Sequence, residues 1–165
     1  LASLESQSSL STRQSLDLAA LLREEIDAIQ STAETKDLQI CSEKIPDGEV
    51  LISGDPLMMR IAMRNLLKNA VDFSPNNSLI EVACKVLEGG RILVSIKDEG
   101  PGIPDYATNR IFDRFYSLKN QETGRKGSGI GLSFVREAVE LHGGSVSLTN
   151  RESGPGAVAR VELEN

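Results

Sequence analysis

The sequence predicts an α+β domain in which helices stack on one sheet, and three observations carry that expectation. In "RILVSIKD" the apolar Ile92, Val94 and Ile96 alternate with Arg91, Leu93, Ser95 and Lys97, the pattern of a strand with one buried face. In "DPLMMRIAMRNLLKNAVDFS" the apolar residues recur at helical spacing. Helical and hairpin-like stretches also mix without a βαβ repeat, which argues against a wound parallel sheet. The chain has 165 residues, enough for one domain with a core, and its 39% hydrophobic and 25% charged content is that of an ordinary globular protein.

Taken in order, "LASLESQSSLSTRQ" is polar and serine-rich, and reads as the end of a preceding helix followed by a linker over residues 1–14. Asp17 is placed to cap an amphipathic helix, "LAALLREEIDAIQSTA". "LQICSE" and "EVLIS" read as short strands around a turn at Pro46–Gly48. Asp55–Pro56 is a cap followed by proline at the first helical position, and that helix runs to about Phe73, stopping before Ser74–Pro75. "LIEVACKVL", a Gly89–Gly90 turn and "RILVSIKD" form a β-hairpin. Residues 101–128 are rich in glycine, proline and polar groups, with a short helical piece near "RIFDRFYS". Ile130 to Leu141 is helical and closes at Gly143–Gly144. "SVSLTN" and "AVARVELE" make a second strand pair.

Composition narrows the function. The net charge of −6 argues against nucleic acid as the main partner. No apolar run is long enough to span a bilayer, and the first residue is Leu1, so the chain reads as part of a longer protein. Cys41 and Cys84 are far apart with no CxxC, which suits free thiols better than a disulfide. A metal site built on Cys and His is disfavoured, because His142 is the only histidine.

Three features carry chemistry. The phase of β-alternation sends the Asp98 carboxylate inward with Ile92, Val94 and Ile96, and a buried carboxylate needs a partner. A ligand donor or a simple turn cap would serve. On the helix from Asp55, Met59, Met63, Leu66, Leu67, Ala70 and Phe73 share an apolar arc, with Arg60, Arg64 and Lys68 on a solvent arc. Asn65, Asn69 and Asp72 form a third arc, either lining a polar pocket or forming a solvated flank. "KGSGIGLSFV" puts Gly127, Gly129 and Gly131 ahead of an apolar helix, so backbone N–H groups can approach an anion there, unless the stretch is only a flexible loop. It matches neither the Rossmann GxGxxG nor the P-loop pattern.

Together, in this order, the motifs resemble the catalytic ATP-binding domain of two-component sensor histidine kinases, within the wider group that includes gyrase, the Hsp90 chaperone and MutL. "NLLKNAVDFSP" is similar to the N box, "DEGPGIP" to the first glycine box, "IFDRFYS" to the F box and "GSGIGLSFV" to the second glycine box. The resemblance covers residues 15–165, and "NAVDFSP", "IPDYA" and "RFYSL" are similar to the CreC type of sensor kinase. It implies a two-layer sandwich, a mixed β-sheet with helices on one face, of the Bergerat ATP-binding type.

The resemblance also implies roles. Asp98 would accept the adenine amino group, with Gly100 and Gly102 giving the base room to approach and Ile103 lining the site. Asn69 would hold Mg²⁺, an ion that prefers oxygen ligands and keeps several waters. Asn65 stands where gyrase-like relatives carry a glutamate that activates water. An amide cannot act as a base, which favours transfer of the γ-phosphoryl group over hydrolysis. Gly127, Ser128, Gly129, Ile130, Gly131 and Leu132 would form the phosphate-facing turn. A lid from about Asp105 to Lys126 would be anchored by Phe112 and Phe115. Lys119, Arg125 and Lys126 would reach phosphate from it or remain solvated. Two positions depart from the family pattern: Asp72 and Ser117 stand where bases facing phosphate are usual, and Arg64 and Lys68 lie on the wrong arc to replace them easily.

The acceptor histidine of such kinases is absent, since no "H-E-[LIF]-[RK]-[TS]-P" stretch occurs and His142 reads as a helix C-terminal residue. The implied partners are therefore ATP/ADP, a histidine-bearing dimerisation domain of the same kinase and a response regulator. The implied full-length protein is a membrane-bound homodimer of the bacterial inner membrane, with this domain on the cytoplasmic side. A serine kinase of the anti-sigma-factor type, and a non-catalytic nucleotide-binding or interaction module, are the alternatives.

Overall fold

The computed structural model describes residues 12–120, 124 and 127–165. The elements run β1 Gln14–Asp17, α1 Leu18–Glu34, β2 Gln39–Lys44, β3 Leu51–Gly54, α2 Pro56–Phe73, β4 Leu79–Val86, β5 Ile92–Lys97, α3 Gly131–Leu141, β6 Ser145–Asn150 and β7 Ala157–Leu163, with 3₁₀ turns at Glu88–Gly90 and Asp105–Ala107. Five strands form one sheet in the order β2-β4-β5-β7-β6, and β1 pairs with β3 separately. The β2–β4 pair is parallel and the others antiparallel, so the sheet is mixed.

The predicted alternation sets the layer contact. Ile96 lies opposite Val82 and Ala159, and Val94 opposite Cys84 and Val161, giving a buried apolar surface across three strands. Met59, Met63, Leu66, Leu67 and Ala70 of α2, Leu18, Leu22 and Ile26 of α1, and Val135, Ala138 and Val139 of α3 join it in one core. This is the two-layer α+β arrangement that the sequence predicts. The caps form as expected. Asp17 Oδ1 accepts from Ala19 and Ala20 N–H and also from Val50 N–H, and Asp55 Oδ1 accepts from Leu57 and Met58 N–H ahead of Pro56.

Three elements differ from the sequence reading. Gln14–Asp17 is a strand, paired antiparallel with β3 through Leu16, which is buried. "LQICSE" and "EVLIS" do not pair with each other: β2 lies parallel beside β4, while β3 joins β1. Buried Ile45 and Val50 draw the connection between them into the core. "RIFDRFYS" forms a chain of turns rather than a helix, because Phe115 adopts φ 64 and its N–H donates to the Gly129 carbonyl. Cys84 is buried and Cys41 half-buried, both free, and burial pushes the Cys84 thiol up to about 11.

Candidate functional site

Asp98 follows β5 directly, and its N–H continues the sheet ladder to the Ala157 carbonyl at 3.0 Å. The side chain is 5% exposed. Its Oδ1 accepts from Gly100 N–H at 2.9 Å and Ala157 N–H at 3.1 Å. Among the described residues, Oδ2 receives no hydrogen bond. Burial raises the pKa above the ordinary carboxylate value, and the two amides and the Arg151 charge oppose that rise without cancelling it. The carboxylate is thus oriented through one oxygen and short of donors at the other, an arrangement able to accept a ligand N–H.

The two glycines of this turn make room for protein. A Cβ on Gly100 would lie 2.5 Å from the Phe73 carbonyl oxygen and 3.1 Å from Asp98 Oδ1. One on Gly102, at φ +77, would lie 2.5 Å from Asn150 Oδ1. The bare Cα of each glycine thus admits protein backbone or side chain at its Cβ position. Ile103 is buried, with its N–H and carbonyl both bonded to the Asn150 side chain. Sequence reasoning missed Asn150. Its signal was an amide ending the strand "SVSLTN" just before a turn.

On α2, Asn65 and Asn69 are half-buried. Asn65 Nδ2 donates to the Gly131 carbonyl at 3.4 Å, so the amide arc meets the start of α3. Asn69, one turn on, makes no hydrogen bond among the described residues. Asp72 departs from this arc: its Oδ2 pairs with Lys68 Nζ at 3.0 Å. Its backbone carbonyl accepts from Asn120 Nδ2 at 2.6 Å, which draws the segment after Leu118 to the end of α2. An open cavity there is lined by Asp72, Phe73, Pro75, Glu99, Gly100, Pro101 and Asn120. Arg60 and Arg64 are committed elsewhere, both to Glu25 of α1.

The glycine-rich turn leads into the one described α-helix without a side-chain cap. Asp17 and Asp55 cap α1 and α2, whereas Ile130 offers α3 none. Uncapped first-turn amides suit an anion. Gly127 is exposed, and Ser128 Oγ accepts from Ile130 N–H at 3.3 Å. Gly129 needs its φ of +74 and its bare Cα, since a Cβ would come within 2.5 Å of the Phe115 carbonyl carbon. Gly131 lies beside Asn65, Ile130 is exposed and Leu132 packs on the core.

The expected aromatic anchors divide. Phe112 packs on the core, but Phe115 is 76% exposed and anchors nothing, because its positive φ turns the ring outward. Buried Ala107 and Ile111, with Tyr116 and Leu118, hold this stretch instead. Lys119 is exposed, and Arg125 and Lys126 lie outside the described residues. His142 is buried. Asp55 N–H donates to its Nε2 at 3.0 Å, so the ring proton is on Nδ1, 2.6 Å from the Ala138 carbonyl. It ends α3, as the sequence predicts, and ties that helix to the start of α2.

The donor set suits a nucleotide with Mg²⁺: an acid with one oxygen and the Asn69 amide oxygen both without a hydrogen bond among the described residues, and helix amides with no side-chain cap.

Residues 54–165 match the family model described as histidine kinase-, DNA gyrase B- and HSP90-like ATPase. The chain belongs to this ATPase family. It is 38% identical over 152 residues to the sensor protein CreC of Escherichia coli K12, covering 90% of this chain and 30% of CreC. Among solved structures, the mycobacterial sensor histidine kinase MprB superposes with a TM-score of 0.77 at 22% identity, over 92% of this chain and 97% of that one, a likeness of fold. ShkA, solved at full length with AMPPNP, superposes with a TM-score of 0.73 at 28% identity, over 92% of this chain and 31% of ShkA. This ATPase domain spans about a third of the length of the first curated relatives it matches.

Proposed function

We propose that this ATPase domain is the catalytic part of a sensor histidine kinase: it binds Mg-ATP and gives the γ-phosphoryl group to a histidine on a separate dimerisation domain, for relay to a response regulator. The observation that carries this is Asp98, a buried carboxylate with one oxygen fixed by two backbone amides and the other open. CreC is named a sensor protein and ShkA was solved with AMPPNP, and both support the reading.

In this mechanism Asp98 Oδ2 accepts the adenine amino group, and the buried turn around Gly100 excludes water from that bond. The uncapped amides of α3 and the Gly127–Gly131 turn take phosphate oxygens. Asn69, with Asn65 beside it, would hold Mg²⁺, an ion that would supply positive charge beside the phosphates. The Asn65 amide, held toward Gly131, cannot deprotonate water, so a histidine nitrogen brought in by the partner domain is the effective nucleophile. That nitrogen bonds to the γ-phosphorus as the β–γ bridging oxygen leaves with ADP. The longer protein is a membrane-bound homodimer with this domain on the cytoplasmic side; no helix among the described residues is long and apolar enough to cross a membrane.

The test is labelled ATP added to this chain plus a separately made histidine-bearing dimerisation domain. Label is expected on the histidine. Asn69→Ala should reduce transfer by about a hundredfold while ADP binding changes far less. Transfer by Asn69→Ala at the wild-type rate would remove Asn69 from the metal site, and no transfer by the wild type to any such domain would overturn the kinase reading.

A further inference from the structure

Asn150, the last residue of β6, makes a pair of hydrogen bonds that a neighbouring strand would ordinarily make. Ile103 N–H donates to its Oδ1 at 2.6 Å, and its Nδ2 donates to the Ile103 carbonyl at 3.0 Å. A two-bond exchange with one residue is the antiparallel ladder pattern, here made by a side chain. In the ladder itself, Asn150 stands opposite Ala157. Ala157 holds the other end of the same segment: its N–H donates to Asp98 Oδ1 at 3.1 Å and its carbonyl accepts Asp98 N–H at 3.0 Å. One register pair therefore grips the glycine turn at both ends, Asp98 through Ala157 and Ile103 through Asn150.

The surroundings fit that grip. Gly102 has φ +77, and a Cβ there would lie 2.5 Å from Asn150 Oδ1, so the bare backbone is what admits the amide. Arg151 Nη1 reaches the Asp98 and Pro155 carbonyls at 3.4 Å each. Arg151 N–H closes the turn onto the Gly156 carbonyl at 3.0 Å. Gly156, at φ +117, rests against the Asp98 carbonyl, where no side chain fits.

We propose that Asn150 is a positioning residue for base recognition: by clamping Ile103 from the β6–β7 turn, it fixes the turn whose Gly100 N–H orients Asp98, and so sets the preference for a base bearing an amino donor. The inference rests on the nucleotide reading above. Asn150 itself touches no ligand in this scheme. It acts through the Gly100 N–H bond to Asp98 Oδ1, which holds only while the turn keeps its shape. A loosened turn leaves the carboxylate held by the Ala157 N–H alone and less firmly oriented. A base with an amino group at that position then loses its advantage over one with a carbonyl oxygen.

The experiment is calorimetric titration of wild type, Asn150→Ala and Asn150→Asp with ADP and with IDP, which differ by an amino donor against a carbonyl acceptor. Wild type is expected to prefer ADP. Asn150→Ala should lose about tenfold in ADP affinity, with the ADP-to-IDP ratio falling toward one. Asn150→Asp keeps the acceptor for Ile103 N–H and should fall between them, and it carries the test if the alanine variant does not fold. Hydrogen exchange at the Ile103 amide should speed up in Asn150→Ala without nucleotide, and much less in Asn150→Asp, which keeps the acceptor. A folded variant with an unchanged ADP-to-IDP ratio, even with a lowered Tm, overturns the proposal and leaves the nucleotide reading standing. A wild type that binds neither nucleotide overturns both.

Discussion

Glu25 and Asp98 are buried to nearly the same depth, 3% and 5% exposed, but are met by different groups. Glu25 lies between α1 and α2 with two guanidinium partners: Arg60 at 2.9 Å to Oε1, and Arg64 at 2.9 Å to Oε2. Burial pushes its pKa up, and the hydrogen bonds and charges of Arg64 and Arg60 together outweigh that, holding it below the ordinary value. Asp98 has two backbone amides on one oxygen and a pKa raised by burial. A carboxylate fully matched by cations has no capacity left for a ligand, whereas one oriented by amides and left short of donors does. The first holds helices together. The second is a site.

Gly156→Ala should break the Asp98 side most severely. The new Cβ would overlap the Asp98 carbonyl at a φ of +117, and the strain should destabilise the fold by about 3 kcal/mol, seen in urea unfolding, while Glu25 keeps its partners. Asp98→Asn should separate binding from stability. Its amide oxygen can still accept from Gly100 and Ala157, so Tm should hold or rise, while ADP affinity drops by about 1–3 kcal/mol for the lost charge-assisted bond. A folded Asp98→Asn variant with unchanged ADP affinity would end the contrast. Glu25→Gln should do the reverse: a stability loss of about 1–2 kcal/mol, tempered because Arg64 is 56% exposed and can be resolvated, with ADP affinity unchanged.

The smallest effect is in pH dependence, and its sign differs between the two acids. Glu25, with its folded pKa lowered, contributes stability above the unfolded carboxylate value and loses it as pH falls through the lowered folded value. Asp98, with its folded pKa raised, opposes folding once ionised. That cost is absent below the unfolded value and grows as pH rises through the raised folded one. Any Tm advantage of Asp98→Asn over wild type at neutral pH should therefore shrink as pH is lowered past the carboxylate range. In the matching comparison, Glu25→Gln should approach wild type only at lower pH still. Thermal melts of the three proteins across that range check both signs.

Much of this was legible because it is local. The Asp55–Pro56 start of α2, the inward phase of Asp98 and the glycines before α3 each follow from a few adjacent residues. What escaped depends on partners distant in sequence. The parallel β2–β4 pairing joins Ile40 to Ile80, and nothing near either residue specifies it. Arg60 and Arg64 read as a solvent arc because the acid that binds them is on another helix. The Asn150 clamp is invisible without knowing that β6 ends level with the glycine turn. Phe112 and Phe115 have the spacing of one helix face, and the positive φ of Phe115 separates them.

The link from His142 to the Asp55 amide bears on how the domain would respond to random mutation. The His142 ring fills the space where a side chain on Gly54 would go. Any substitution at Gly54 must displace that ring, and with it both the last turn of α3 and the first turn of α2. These two helices carry the uncapped amides and Asn65, which meet at Gly131. In a deep mutational screen for function, Gly54 and His142 should thus score among the intolerant positions, although Gly54 precedes α2 in β3 and His142 lies at the far end of α3 from Gly131.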